Sequence, residues 1–154
     1  LLLTAAQRSP PRRRALGRLN KVRTKRRKLN SPYTGTLSSY GYALLVLFFL
    51  IHVKKPAVLP NLQRIPAGRE LSQHDIMLEG HSIYFYDDME ALRRQWHSDN
   101  TDSVGELLLD FFRYFSRDFN YTKDAIAMRT EGGLVTKESR RWTHDLLCIE
   151  ARGA

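Results

Sequence analysis

A mainly helical fold with one small β-hairpin is what this sequence of 154 residues predicts, and three stretches predict it. An apolar run from Tyr40 to Val53 opens directly after Ser38 and Ser39. A second stripe, Val104, Leu107, Leu108, Phe111, Phe112, Phe115 and Phe119, recurs at the three- and four-residue spacing of one helix face. Two short segments, Ala125 to Arg129 and Gly133 to Thr136, bracket Thr130-Glu131-Gly132, which is turn chemistry between strands.

Taken in chain order, residues 1–18 are rich in arginine and carry Ser9-Pro10-Pro11, so they read as a disordered or extraneous basic segment. From Leu19 a short basic helix can run to about Leu29, with Lys21 and Lys25 one turn apart on one face. Asn30-Ser31-Pro32 then signals a turn, and Ser38 and Ser39 are good caps for a helix that runs to about His52. A helix apolar all round must be covered on most sides, so this one is the expected core. Pro56 to Gln63 follows as an extended, proline-bounded segment, and residues 64–88 read as irregular with Ile83 to Tyr86 as a short strand. Met89 to Trp96 suits a short helix. Asn100-Thr101-Asp102-Ser103 caps a longer one from Val104 to about Phe119. The predicted folded part is one domain over residues 19–150, and residues 151–154 read as a truncated end.

Composition bounds the function. A hydrophobic content of 42% suffices for one ordinary core. Residues 1–69 hold 15 of the 25 Lys and Arg and none of the 16 acids, so the remainder carries 10 basic against 16 acidic groups. A basic half beside an acidic half points to a polyanionic partner, with nucleic acid ahead of membrane. The run from Tyr40 to Val53 is closed by Lys54-Lys55-Pro56 and is shorter than the about 20 residues of a spanning helix, so no membrane partner is expected. Cys148 is the single cysteine, which excludes an internal disulfide or a cysteine-rich zinc site and fits an intracellular location, cytoplasm or nucleus. It reads as a buried structural thiol.

Charge, turn and helix onset combine only once. A helix beginning near Ser39 directs the N–H groups of its first turn and the positive end of its dipole outward, with lysines just upstream. That arrangement suits an anion.

The stretch Lys21-x-x-x-Lys25-Arg26-Arg27-Lys28-Leu29-Asn30-Ser31-Pro32-Tyr33-Thr34-Gly35-Thr36-Leu37-Ser38-Ser39-Tyr40 resembles the central region of noncanonical poly(A) polymerases and terminal uridylyltransferases. The likeness extends to Pro56 to Gln63, to Gly105 to Phe115 with Asp118-Phe119, and to Ala125 to Arg129, the last two resembling the poly(A)-polymerase-associated segment of fungal members. The resemblance implies the helical central domain of a two-domain nucleotidyltransferase that adds nucleotides to RNA 3′ ends. It implies a nucleotide site in which Lys21 and Lys25 touch the triphosphate, Ser39 contacts phosphate and Tyr40 stacks on the base. The implied substrate is a nucleoside triphosphate, ATP or UTP, the implied partner an RNA 3′ end, and the implied cofactor Mg or Mn.

Physical reasoning agrees with those roles: two ammonium groups one turn apart can clamp a polyphosphate, and an aromatic ring stacks on any base. Each residue also has a plainer reading, with Lys21 and Lys25 as a solvated charge run, Ser39 as a helix cap and Tyr40 as a core tyrosine like Tyr42. No Gly-Ser turn followed by Asp-x-Asp occurs in the sequence, so catalytic and metal-binding residues are not assigned. Asp87-Asp88 reads as a loop or helix-start pair and Asp102 as part of a cap. On this basis the chain is expected to be a piece of such an enzyme that lacks the catalytic palm and is inactive alone. The alternative is a non-catalytic RNA-binding or scaffold module that keeps the basic face. The residues that separate uridine from adenosine preference are expected beyond Ala154.

Overall fold

Ser38 caps the first described helix of the computed structural model, which describes residues 37–67, 72, 76–78 and 81–150. The predicted basic helix with Lys21 and Lys25 lies outside the described residues. Two compact units make up the chain, Leu1–Val58 with Asp99–Phe119, and Leu59–Ser98 with Asn120–Ala154.

In the first unit, α1 spans Ser39–Phe48 and continues as a π-helical turn over Phe49–Val53. Every residue from Leu44 to Ile51 is buried, as an uninterrupted apolar run requires. The sequence shows no break between the two parts because the apolar run does not change character; the switch is seen in the Lys54 N–H, which donates to the Phe49 carbonyl at 3.0 Å, five residues back. The next long helix of this unit begins at Ser103. Its hydroxyl accepts from the Glu106 N–H at 3.3 Å while the Glu106 carboxylate accepts from the Ser103 N–H at 2.7 Å, a reciprocal capping box. That bond to Ser103 holds the Glu106 carboxyl below its ordinary pKa.

This helix, Val104–Arg113, also ends in a π-helical turn, Tyr114–Asp118. Of the predicted stripe, Leu107, Phe111 and Phe119 are buried, and Val104, Leu108, Phe112 and Phe115 are half-buried. Phe49 meets Phe111 edge-on at 5.5 Å, and Phe48 lies 6.1 Å from Tyr114 and 6.3 Å from Phe115. Such aromatic pairs add to what area burial alone contributes.

A charged clasp ties the same two helices together. The Lys54 ammonium sits 2.6 Å from Asp102 and 2.9 Å from Asp110, and Asp110 also accepts from Arg113 at 3.0 Å. Burial alone would lower the Lys54 pKa, but the hydrogen bonds and charges of Asp102 and Asp110 outweigh it and raise it. Asp102 is therefore an ion-pair partner and not part of the cap, a correction to the sequence reading. Ser103 alone supplies the capping hydroxyl, which leaves the Asp102 carboxylate available to Lys54.

In the second unit, a two-stranded ladder pairs β1, Met77–Leu78, with β2, His81–Ser82. The strand expected over Ile83 to Tyr86 is absent there; that stretch is irregular and is held by single hydrogen bonds instead. The Tyr86 N–H donates to the Leu62 carbonyl at 2.7 Å and the Tyr84 hydroxyl to the Ile65 carbonyl at 2.7 Å. Pro56 to Gln63 is likewise bent and not extended, with a turn over residues 62–64. The Asn61 amide donates to the Met128 carbonyl at 2.9 Å and fastens that turn to the sheet.

Next comes α2, Met89–Gln95, capped by Asp88, whose carboxylate accepts from the Ala91 N–H at 2.8 Å. The helix-start reading of Asp87-Asp88 holds for Asp88. With the capped helix of the first unit numbered α3, the remaining elements are β3 at Asp124–Ala127, β4 at Leu134–Thr136, α4 at Lys137–Arg140 and β5 at Ile149–Glu150.

The predicted hairpin forms between β3 and β4, antiparallel with Ala125 opposite Val135 and Ile126 opposite Leu134. Gly132 takes φ +73° in the connection, a conformation that favours glycine. A third strand completes the sheet in the order β4-β3-β5, with β5 parallel to β3 and Ile126 opposite Ile149. The fold thus combines helices with a small three-stranded sheet. Ala125, Ile126, Ala127 and Met128 are all buried, as befits the central strand.

One lysine is built into this unit's interior. Lys137 is 3% exposed, and its ammonium donates to the main-chain carbonyls of Tyr121, Asp145 and Leu146. Three donors meet three acceptors, which is the full capacity of the group.

Candidate nucleotide-binding site

The described part of the candidate site is the first turn of α1. Ser38 stands outside the helix with extended backbone, and its hydroxyl accepts from the Gly41 N–H at 3.0 Å. A Cβ at Gly41 would come within 3.2 Å of the Leu37 side chain. Because Ser38 is the cap, Ser39 is the first helical residue, and the reading of Ser39 as the cap is corrected. Both Ser39 and Tyr40 are exposed, Tyr40 at 50%.

Helical spacing explains why the two tyrosines diverge. Residues two apart point to nearly opposite sides, so Tyr42 is half-buried, and burial raises its pKa, while Tyr40 faces outward. A ring left half in water at the start of a helix that is buried from Leu44 on is not a core tyrosine. Tyr40 lies in the N-terminal turn of a ten-residue helix, at the positive end of the helix dipole. Ser39 and Tyr40 are adjacent at that end. Lys21 and Lys25 lie outside the described residues.

Of the carboxylates that the sequence singles out, Asp88 is committed to a cap and Asp102 to Lys54. Among the described residues, no three His, Cys, Asp or Glu side chains come together in a way that could hold a metal ion. These residues do not fit a divalent metal, and no step through one follows from them. Within the same residues, no helix is long and apolar enough to cross a membrane.

Cys148 is buried, and its thiol lies 3.7 Å from the Trp142 carbonyl and 3.8 Å from that of Asp145. Burial pushes its pKa up, Lys137 opposes this and Asp145 adds to it. A raised folded-state pKa means that the native chain keeps the proton longer than the unfolded chain. The resulting stability is fully present below the unfolded pKa of about 8.5 and is lost as pH rises through the folded value. Native Cys148 is accordingly expected to react with iodoacetamide at pH 8 at least tenfold more slowly than the same residue in urea. Equal rates would show an accessible thiol.

Sequence reasoning missed the pairing of Arg140 with Glu150, 3.2 Å apart, and the interior placement of Lys137. Neither carries a local signal, since each depends on β5 returning beside β3.

Residues 103–151 match the family described as Cid1 family poly A polymerase. The chain is 38% identical over 143 residues to terminal uridylyltransferase cid1 of Schizosaccharomyces pombe, which covers 93% of this chain and 33% of that protein. A crystal structure of the Cid1 poly(U) polymerase with MgGTP bound superposes with a TM-score of 0.83 at 40% identity, over 97% of this chain and 44% of the other. Cid1 in complex with its short product ApU gives a TM-score of 0.84 at 39% identity, over 97% and 44%. The chain spans about a third of the length of the curated relative and less than half of each solved one. On the agreement of sequence, family and fold, the chain belongs to the noncanonical poly(A) polymerase and terminal uridylyltransferase family.

Proposed function

We propose that this chain supplies the triphosphate and base contacts of the nucleotide site in an RNA 3′-terminal nucleotidyltransferase acting with ATP or UTP. The observation that carries the reading is Tyr40, half-exposed beside Ser39 on the first turn of a helix whose later residues are buried. The base stacks on the Tyr40 ring. The Ser39 hydroxyl donates to a phosphate oxygen, and the helix N-terminus together with Lys21 and Lys25 balances the triphosphate charge. Stacking on a ring tolerates every base, so Tyr40 contributes affinity and not the choice between adenosine and uridine.

Divalent metal, Mg or Mn, would stabilise the attacking and leaving oxygens in the complete enzyme and belongs to residues other than those described. This chain orients the nucleotide for attack by the 3′ hydroxyl of an RNA end. The domain that does so is proposed to cover residues 19–150, as the central and poly(A)-polymerase-associated part of the enzyme.

Tyr40→Ala is expected to weaken UTP or ATP binding by roughly 5- to 150-fold in calorimetry, the equivalent of about 1–3 kcal/mol of lost stacking. Tyr40→Phe should bind as the native chain does. Should Tyr40→Ala leave nucleotide affinity unchanged while RNA still binds with a steep salt dependence, the chain is an RNA-binding module and not part of a nucleotide site.

A further inference from the structure

A second cationic feature lies in the unit that holds the sheet, and the nucleotide reading does not use it. Glu150 ends β5 opposite Ala127 of β3. Arg129 follows two residues after Ala127, and Arg140 closes α4. The Glu150 carboxylate is engaged by Arg140 through one terminal nitrogen, Nη2, at 3.2 Å and 3.4 Å from its two oxygens. Its side chain is only 10% exposed, against 30% for Arg140.

This pairing leaves the arginine incompletely matched. The Arg140 Nε is buried and has no hydrogen-bond acceptor among the described residues. Buried donors of this kind are rare in folded proteins and call for an explanation. A guanidinium normally meets an oxyanion through two parallel N–H groups, and here the carboxylate takes only one nitrogen. Arg129 is half-buried and lies two residues beyond Ala127, the residue of β3 opposite Glu150, so a second guanidinium follows the strand that pairs with this carboxylate. Burial lowers the Arg129 pKa and Glu150 only partly opposes it, as expected of a cation drawn from water without a full counter-charge.

We propose that Arg129 and Arg140, flanking Glu150 at the end of β5, form an anion site of the phosphate class. A phosphate carries several acceptor oxygens and so can satisfy donors that one carboxylate leaves over. The same chemistry is offered by a polynucleotide backbone and by a free polyphosphate. Glu150 acts as the resident competitor: it holds the arginines in place in the unliganded chain and yields part of their donor set to the anion.

The test is nitrogen-proton NMR of the arginine Nε–H groups in the full 154-residue chain, titrated separately with inorganic pyrophosphate and with oligouridylate. Saturable shifts of the Arg129 and Arg140 resonances are expected with at least one of the two. A response to pyrophosphate identifies a free polyphosphate as sufficient, and a response to oligouridylate alone identifies the backbone. Arg129→Gln should weaken that binding at least fivefold, and Glu150→Gln should tighten it severalfold by removing the competing charge. Native affinity in Arg129→Gln, or resonances unmoved by both ligands, overturns the proposal. The native-chain titration decides if the variants do not fold. Loss of UTP binding in Tyr40→Ala with the arginine shifts intact would separate this site from the nucleotide site.

Discussion

Phe48→Ala is expected to destabilise the first unit by about 3–5 kcal/mol in urea unfolding, the range for removing a large aromatic ring from a packed interior. Phe48 has no exposed surface. Its ring stacks on His52 at 5.8 Å and contacts Tyr114 and Phe115 on the facing π-helical turn. Neighbouring side chains cannot close such a gap, because Phe49 and Leu50 are 1% exposed and already packed on other partners. Set against a typical total of about 5–15 kcal/mol, a loss of this size brings the unit near its unfolding threshold. Leu109→Ala, at a side chain 59% exposed on α3, should cost well under about 1 kcal/mol and provides the control. Equal effects of the two changes would mean that the aromatic cluster is not the core.

Lys137→Met should be nearly as damaging, at roughly 3 kcal/mol, through a different mechanism. Methionine fills the space of the aliphatic stem, but it strands the carbonyls of Tyr121, Asp145 and Leu146 that now receive the ammonium. Lys137→Arg should not rescue, because a planar fork cannot direct three donors at carbonyls converging from two loops. The effect should also be local. The Ile126 N–H donates to the Cys148 carbonyl at 2.9 Å, so hydrogen exchange at Ile126 should accelerate when the loop leading to β5 is released. Unchanged protection at Ile126 would show that Lys137 does not hold that loop.

These two residues also show where the sequence is legible and where it is not. Phe48 lies in an apolar run bounded by Ser38 and by Lys54-Lys55-Pro56, and local pattern alone marks it as interior. The same holds for the capped helix after Ser103, the short helix after Asp88 and the β3–β4 hairpin, all of which rest on contacts close in sequence. Lys137 is different: a lysine after a strand reads as solvent-facing, and its burial follows only from the chain returning through Asp145 and Leu146. Lys54 hides its role in the same way, since its partners are Asp102 and Asp110, about fifty residues on. The strand expected at Ile83 to Tyr86 failed because aromatic and β-branched residues signal strand propensity without a pairing partner. There the segment found side-chain and single backbone bonds instead.

The candidate site divides along the same line. That a helix begins beside Ser38 and Ser39 is local information, whereas the divergence of Tyr40 from Tyr42 shows only in the structure, since both rings suit an apolar run. Which serine caps was not legible, because both are good caps; the structure gives the role to Ser38. The roles of Ser39 and Tyr40 toward a nucleotide came from the resemblance, since an exposed tyrosine at a helix start has no fixed chemistry by itself.

The central claim is that the Tyr40 ring carries the base, and proton NMR of the chain titrated with UTP or ATP tests it most directly. The base protons are expected to shift upfield under the ring current of Tyr40, with saturation transfer between them and the Tyr40 ring, and both effects should vanish in Tyr40→Ala and persist in Tyr40→Phe. Nucleotide binding with the base protons unshifted, or with shifts that survive Tyr40→Ala, would contradict it.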